Sequence, residues 1–219
     1  MTRIFVFSEG QTEELFVKNV LCQHFINKSI YLFPIILSTS AEQKGGSVSY
    51  QKLKNQVTEK CLSDKSAYVT TMVDLFKIPT KFPGYQVSLK YRDPFQKVTY
   101  LENKMQQDLK IPSENFIPYI SVYEFEALLF SDVRVFSKYF EEKVVCELQN
   151  QLSKYDSPEH INDGQETSPS KRILKTCNGY NKLFHGSLLT NSIGLDKIRQ
   201  ECKHFNSWIE RMEKLSPGA

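Results

Sequence analysis

The sequence lacks any apolar run that approaches the roughly 20 residues needed for a membrane span. Its five cysteines lie far apart with no C-x-x-C pair, which argues against a zinc ribbon and against a disulfide framework. There is no G-x-x-x-x-G-K-S/T loop for ATP, and a net charge of +3 is too small for a protein that coats nucleic acid. The first apolar stretch is too short for a secretory signal, so we expect a cytoplasmic protein with no membrane partner.

The sequence does contain an alternation of strand and helix patterns. Its 219 residues are 40% hydrophobic and 24% charged, which is typical of a folded globular chain. Continuous β-favouring runs predict strands at residues 3–8, 30–37, 67–74 and 116–122. Apolar residues three and four apart predict helices at residues 12–27, 48–61 and 98–109 and a helical region at 124–152. The alternation predicts an α/β fold with a mostly parallel sheet and helices on both faces.

The composition divides the chain into two parts. Residues 1–130 are predicted to form the α/β core, and residues 131–219 a helical extension that carries basic residues. Within the core, Pro34 places the second strand at an edge or a bulge, and Gly45-Gly46 closes a polar loop. Apolar residues at 195–212 step by three and four, which predicts one terminal helix whose narrow seam covers the protein's own core or docks a partner.

Carboxylates follow three of the four predicted strands. Glu9 ends the first strand, Asp74 the third and Glu124 the fourth. In a parallel sheet such acids meet at the carboxyl edge, where α/β folds bind ligands. Glu13 lies four residues beyond Glu9, and Glu126 lies two beyond Glu124. The second pair shares a face if the backbone is extended there, whereas in a helix only one of the two points inward.

Several unpaired carboxylates at one edge repel one another unless a cation lies among them. Oxygen ligands without histidine or cysteine favour Mg²⁺ or Mn²⁺ over zinc. Taken singly, each acid has a simpler interpretation, since Glu13 suits the helix dipole and Asp74 suits a turn. Because three strands carry an acid at the same end, we predict a metal site there.

The motifs around these acids resemble those of a known family. The segment Ser8-Glu9-Gly10-Gln11-Thr12-Glu13 resembles the opening motif of TOPRIM domains, in the branch that includes the OLD (overcoming lysogenisation defect) nucleases and small bacterial relatives. Val73-Asp74-Leu75-Phe76 is similar to the aspartate motif of that branch, with Phe76 where many TOPRIM domains have a second aspartate. Tyr123-Glu124-Phe125-Glu126-Ala127-Leu128 resembles the further acidic pair. Residues 157–186 are similar to the tail of the small relatives.

The resemblance implies a nuclease that hydrolyses phosphodiesters of DNA or RNA with two divalent ions, Mg²⁺ or Mn²⁺. Glu9 and Asp74 are then expected to hold the first ion, and Glu13 with Glu124 or Glu126 the second. One of these acids accepts the proton of the attacking water. The resemblance further implies an effector in phage defence that works beside a separately encoded ABC-type ATPase.

Basic residues supply the candidates for contact with the phosphate. Lys171, Arg172 and Lys182 lie in the polar tail, and His185 follows them as a possible proton donor or phosphate contact. We interpret Lys171 and Lys182 as catalytic cations as well. A solvated basic face is the alternative, and it suits Arg172 better than Lys171. A second group of basic residues alternates with aromatic residues around the proline-rich loop at 79–94, a pattern typical of strand-binding grooves. Equally, the aromatic residues can pack the loop against the protein while the basic residues keep it soluble. The basic residues are Lys77, Lys81, Lys90, Arg92 and Lys97.

A function of a different class fits the same residues. The chain is then a non-catalytic module that binds a metal, a phosphate or nucleic acid at the sheet edge, with Phe76 marking chemistry that has been lost. The sequence leaves both alternatives open.

Overall fold

The computed structural model describes residues 1–37, 49–109, 111–162 and 164–217. The loop predicted at Gly45-Gly46 lies outside these residues. The strands are β1 (Thr2–Ser8), β2 (Ile30–Ile36), β3 (Tyr68–Asp74), β4 (Phe116–Ile117) and β5 (Ile120–Ser121). The helices are α1 (Gln11–Phe16), α2 (Cys22–Ile26), α3 (Tyr50–Ser63), α4 (Tyr85–Ser88), α5 (Pro94–Leu109), α6 (Glu142–Leu152), α7 (Pro169–Thr176), α8 (Lys182–Ile193), α9 (Leu195–Glu201) and α10 (Lys203–Glu213).

The sheet is parallel in every strand pair and confirms the predicted α/β class. Its order is β2-β1-β3-β4, and β5 also pairs with β3. Pro34 lies in β2, which is an edge strand as predicted. The strand predicted at 116–122 is divided into β4 and β5, and the Thr71 hydroxyl bridges the gap by donating to the Tyr119 carbonyl and accepting from its N–H, both at 3.0 Å.

Two hydrophobic cores cover the two faces of this sheet. Alternate residues of a strand point to opposite faces, so Ile4 and Val6 of β1 belong to one core, and Phe7 belongs to the other. The first core also contains α1, α2 and the helices after residue 131, including α9 and α10. The second core contains α3, α5 and the loop between β3 and α5. Helices therefore cover both faces, as the alternation of patterns predicted.

The helices differ in detail from the sequence-based expectation. The predicted helix at 12–27 is continuous, but its middle, Val17–Leu21, is a π-helical segment. The region at 124–152 begins as a 3₁₀ segment, Phe125–Lys138, with a kink at Asp132, and continues as α6. Among the described helices, none is both long enough and apolar enough to cross a bilayer.

The prediction of one terminal helix was wrong, because the chain breaks into α9 and α10 at Cys202. A residue far away in the sequence stabilises this break. The buried Glu159 carboxylate accepts the backbone N–H groups of His204 and Phe205, at 2.9 and 3.0 Å, and so caps the start of α10. The apolar seam continues across the break and is buried in the first core, so it covers the protein's own core.

Candidate active site

The connections between strands create a crevice at the carboxyl edge of the sheet. From β1 the chain passes to β2 on one side, and β3 then pairs with β1 on the other side. The connections that follow β1 and β3 therefore run in opposite directions and leave a crevice between the ends of these two strands. This position is called a topological switch point, and α/β proteins bind ligands there. Glu9 directly follows β1, and Asp74 is the last residue of β3. The two acids therefore lie on either side of the crevice.

Glu9 and Asp74 are joined by their backbone and by a lysine. The Asp74 N–H donates to Glu9 Oε1 at 3.0 Å, and the Phe125 N–H donates to Asp74 Oδ1 at 3.1 Å. The second oxygen of each acid contacts the ammonium group of Lys77, at 3.0 Å for Glu9 Oε2 and 2.9 Å for Asp74 Oδ2. Each carboxylate is thus held by one backbone donor and directs its other oxygen at a shared cation position.

Glu13 reaches the same place from the first turn of α1. It is only 3% exposed. A Cβ atom added to Gly10 would lie 3.1 Å from Glu13 Oε2, so the glycine allows the carboxylate to fold back over the chain at the end of β1. The charge of Asp74 acts on Glu13, which places these acids in one electrostatic group.

The structure shows which acid of the pair after β5, Glu124 or Glu126, points inward. Tyr123 has a left-handed backbone with φ of +68°, a conformation that is costly for a residue with a side chain and is typical of functional turns. Glu124 is still extended, but the 3₁₀ segment has begun at the next residue, so only Glu126 points inward and it is fully buried. Glu124 instead accepts the N–H of Ser170, at 3.0 Å, at the start of α7.

Lys182 brings a second ammonium group to the acids from the first turn of α8. Its Nζ lies 2.8 Å from Glu126 Oε1, and neither oxygen of Glu126 accepts a well-directed hydrogen bond from the described residues. Gly186 allows this approach, because a Cβ atom there would lie 3.1 Å from Thr12 Cγ2 of α1. The Tyr180 hydroxyl is also buried without a hydrogen-bond partner among the described residues, and the charge of Glu126 adds to the burial that raises its pKa.

Burial perturbs the protonation of three of the acids. It raises the pKa of Glu9 to about 7, and the charge of Asp74 adds to the shift. It also raises the pKa of Glu126 to about 7 against the opposing charge of Lys182. The pKa of Glu13 is raised by burial and then by Asp74. Clustered carboxyl groups with raised pKa values are typical of functional sites, because they gain most from a cation placed among them.

The acids fit a hard divalent cation by their chemistry. Glu9, Asp74, Glu13 and Glu126 offer carboxylate oxygens only, which are the ligands that Mg²⁺ and Mn²⁺ prefer. Glu126 Oε2, which is buried with no hydrogen-bond donor among the described residues, is available to such an ion. The described part of the chain contains no group of three or more His, Cys, Asp or Glu side chains already at metal-binding geometry. Lysine ammonium groups contact three of these acids instead.

A family model described as Domain of unknown function (DUF4276) matches residues 8–213. The chain belongs to the DUF4276 family. The matched range begins directly before Glu9 and includes every acid and lysine of the site. Comparisons with curated proteins and with solved structures give no match.

The other predicted site residues of this DUF4276 chain have partners of their own. Lys171 pairs with the exposed Glu166 at 2.6 Å. Arg172 donates to the Thr167 carbonyl and to the Tyr155 hydroxyl, both at 2.6 Å. His185 accepts the N–H of Asn181 at 2.8 Å through Nδ1 and stacks on the Tyr180 ring. Their predicted roles stay predictions. The fourth predicted phosphate contact, Lys182, forms an ion pair with Glu126 of the site.

Sequence reasoning did not assign Lys77 to the acid site. It grouped Lys77 with the basic residues of the proline-rich loop. The signal was its spacing, three residues after Asp74, which one 3₁₀ turn at Leu75–Lys77 converts into a contact. The left-handed backbone of Tyr123 had no sequence signal, since such positions normally favour glycine or asparagine.

Proposed function

We propose that this DUF4276 protein hydrolyses phosphodiester bonds of nucleic acid with the help of Mg²⁺ or Mn²⁺. One observation carries the proposal. At the switch point of a parallel sheet, backbone N–H groups orient Glu9 and Asp74 so that one oxygen of each faces the same cation position. The likeness of the flanking motifs to TOPRIM domains of the OLD-like branch supports phosphodiesters as the substrate class.

The residues of the site have distinct roles in this proposal. Glu9 and Asp74 hold a divalent ion, and Glu13 and Glu126 complete or extend its surroundings. A bound divalent ion polarises the phosphoryl group and activates water. An acid whose pKa lies near 7, such as Glu126, accepts a proton efficiently at neutral pH. Lys182, whose side chain is 42% exposed, neutralises charge that develops on the phosphate.

Cleavage assays with active-site variants test the proposal. Supercoiled plasmid, single-stranded DNA and transfer RNA are incubated with purified protein and Mg²⁺ or Mn²⁺. We expect cleavage by the wild type, and a loss of at least about a thousandfold in Glu9→Gln and Asp74→Asn because each removes one ion ligand. Asp108→Asn is the matched control, since Asp108 also pairs with a lysine, Lys54 at 2.9 Å, but belongs to α5.

The assay also identifies failure. Equal cleavage by Glu9→Gln and the wild type would mean that the activity belongs to another site or to a contaminant. No product with any substrate, metal or partner would refute hydrolysis.

A non-catalytic binding module is the second candidate, and a specific observation favours it. Lys77 already neutralises Glu9 and Asp74, and Phe76 stands where many TOPRIM domains carry another acid. Nucleic-acid binding that persists in Asp74→Asn, with no cleavage by the wild type, supports this alternative.

The partner is also part of the proposal. The resemblance to OLD-like effectors suggests an ABC-type ATPase encoded separately, and a role in defence against phage. Cleavage that requires such an ATPase and its ATP, added to this protein in the assay above, supports the partnership. Full activity of the isolated chain argues against it.

A further inference from the structure

The position between Glu9 and Asp74 is filled by a group of the protein itself. Lys77 Nζ lies 3.0 Å from Glu9 Oε2 and 2.9 Å from Asp74 Oδ2. The remaining oxygens, Glu9 Oε1 and Asp74 Oδ1, accept backbone N–H groups. The orientation of both carboxylates is therefore supported by the main chain as well as by the lysine.

The lysine and the acids differ in exposure. The side chains of Glu9 and Asp74 are 12% and 3% exposed, whereas that of Lys77 is 41% exposed. Lys77 is therefore the most exposed of the three side chains, and its four-carbon stem is flexible. Its ammonium group can move toward solvent more easily than the two buried carboxylates can.

We propose that Lys77 is an internal competitor for the metal, and that a divalent ion binds Glu9 and Asp74 only when the Lys77 ammonium group moves out. The inference rests on the proposed function, because it concerns the same site. It assigns Lys77 the role of setting how tightly the site binds metal. Lys77 is not expected to contact the reacting atoms in this role.

Simultaneous binding of both cations is disfavoured by distance and charge. Mg²⁺ binds oxygen at about 2.0–2.1 Å, so an ion on Glu9 Oε2 and Asp74 Oδ2 would take the place of the ammonium group. Two cations that share the same two oxygens repel each other strongly in a partly buried site. The ammonium hydrogens and the ion also compete for the same lone pairs.

The second lysine of the site provides a contrast. Lys182 contacts one oxygen of a single acid, Glu126, and bridges no pair of carboxylates. An ion held by Glu9 and Asp74 does not require Lys182 to move. The competition is therefore assigned to Lys77 specifically.

Calorimetric titration with Mn²⁺ tests the inference on the full chain. We expect Lys77→Met to bind Mn²⁺ at least tenfold more tightly than the wild type, because the competitor is removed while the backbone-held carboxylates remain. Lys77→Arg should bind more weakly, since a guanidinium group holds two carboxylates more firmly than an ammonium group does. Adding Glu9→Gln to Lys77→Met should abolish the gain, which locates it at this site.

Lys54→Met is the matched control. It removes a lysine from another carboxylate, Asp108, which lies in α5, and should leave Mn²⁺ affinity unchanged. Thermal melts followed by circular dichroism establish that each variant is folded. If Lys77→Met fails to fold, the Mn²⁺ affinity of Lys77→Arg is compared with that of the wild type, and weaker binding by Lys77→Arg still supports the inference.

The outcomes separate the inference from the proposed function. Mn²⁺ binding by the wild type that is unchanged or weakened in Lys77→Met overturns the inference and leaves the proposed function standing. Mn²⁺ binding by Lys77→Met but not by the wild type supports Lys77 as the group that occupies the metal position. It overturns metal-dependent hydrolysis by the natural chain. Binding by neither protein overturns both.

Discussion

Two groups of buried acids lie in this protein, and they use their carboxylates differently. The α10 cluster consists of Glu102, Glu159 and His204, and the acid centre lies around Glu9 and Asp74. In the α10 cluster, Glu159 accepts two backbone N–H groups, and Glu102 Oε1 accepts the Ile120 N–H at 2.8 Å and faces His204 Nε2 at 3.0 Å. In the acid centre, Glu9 and Asp74 each accept one backbone N–H, but one oxygen each of Glu9, Asp74 and Glu126 faces a lysine ammonium group.

Burial alone does not distinguish the two groups. It raises the pKa of Glu159 just as it raises the pKa values of Glu9 and Glu126. The difference lies in the partners, since a backbone donor is fixed by the fold and a lysine side chain can be exchanged for another cation. An acid such as Glu159, whose two oxygens both accept backbone N–H groups, is expected to stabilise the fold. An acid that directs one oxygen at an exchangeable cation is expected to bind ions.

The largest effect should come from matched glutamine substitutions in the two groups. In Glu159→Gln the new amide N–H₂ faces a backbone N–H donor, which should lower the free energy of unfolding by about 1–3 kcal/mol. In Glu126→Gln the amide oxygen can still accept from the Lys182 ammonium group, while a buried charge that burial disfavours disappears. Stability at pH 8 should therefore stay within about 1 kcal/mol of wild type or rise. Urea denaturation of the metal-free proteins measures both. Equal losses of unfolding free energy in the two variants would show that both groups of acids stabilise the fold.

A smaller effect should appear in the pH dependence of the α10 cluster. Burial opposes the charged form of His204, but the hydrogen bond and charge of Glu102, with the charge of Glu159, raise its pKa overall. The stabilising charge is therefore present in full below the unfolded pKa of about 6.5 and is lost as the pH rises through the folded value. The stability difference between wild type and Glu102→Gln should be about 1 kcal/mol larger at pH 6 than at pH 9.

Denaturation at both pH values checks this sign. A difference that does not grow as the pH falls would mean that His204 stays neutral in the folded protein. Lys54→Met, which removes an ion pair without histidine, is the control for general effects of pH.

The smallest effect is expected at Lys171, which belongs to neither group. Its ion pair with Glu166 is exposed, at 41% and 74% of the two side chains, so Lys171→Ala should change the free energy of unfolding by less than about 0.5 kcal/mol. Mn²⁺ affinity should also be unchanged, because the partner of Lys171, Glu166, lies outside the acid centre. Urea denaturation and calorimetry measure the two quantities. A change in Mn²⁺ affinity in Lys171→Ala would place Lys171 at the acid centre after all.

Local patterns predicted the features that depend on neighbouring residues. The β-favouring runs and the helical spacings identified the strands and the first helices, because a sheet with helices on both faces imposes those periods on the chain. Acids at strand ends identified Glu9 and Asp74 for the same reason, since parallel strands end at one edge. Whether Glu124 or Glu126 points inward depended on where the helix begins, which the sequence left open.

Features set by distant contacts were not predictable in this way. The seam at 195–212 keeps its apolar period across Cys202, so nothing in that segment indicates the break that Glu159 stabilises from elsewhere in the chain. The role of Lys77 depends on a 3₁₀ turn and on Glu9, which comes from another strand. Tyr123 adopts its left-handed backbone between β5 and the 3₁₀ segment, where its neighbours and not its own preference decide.

The contact between Ser170 and Glu124 has a practical consequence for shortening the chain. Through it, and through Lys182, helices from the last quarter of the sequence support acids that belong to the sheet edge. Trp208 likewise donates to the Thr70 hydroxyl of β3 at 2.7 Å. A fragment cut after Lys138, at the end of the 3₁₀ segment, would keep Glu124 and Glu126 but leave them without these supports and expose an apolar surface. Biochemical work should therefore begin with the uncut polypeptide.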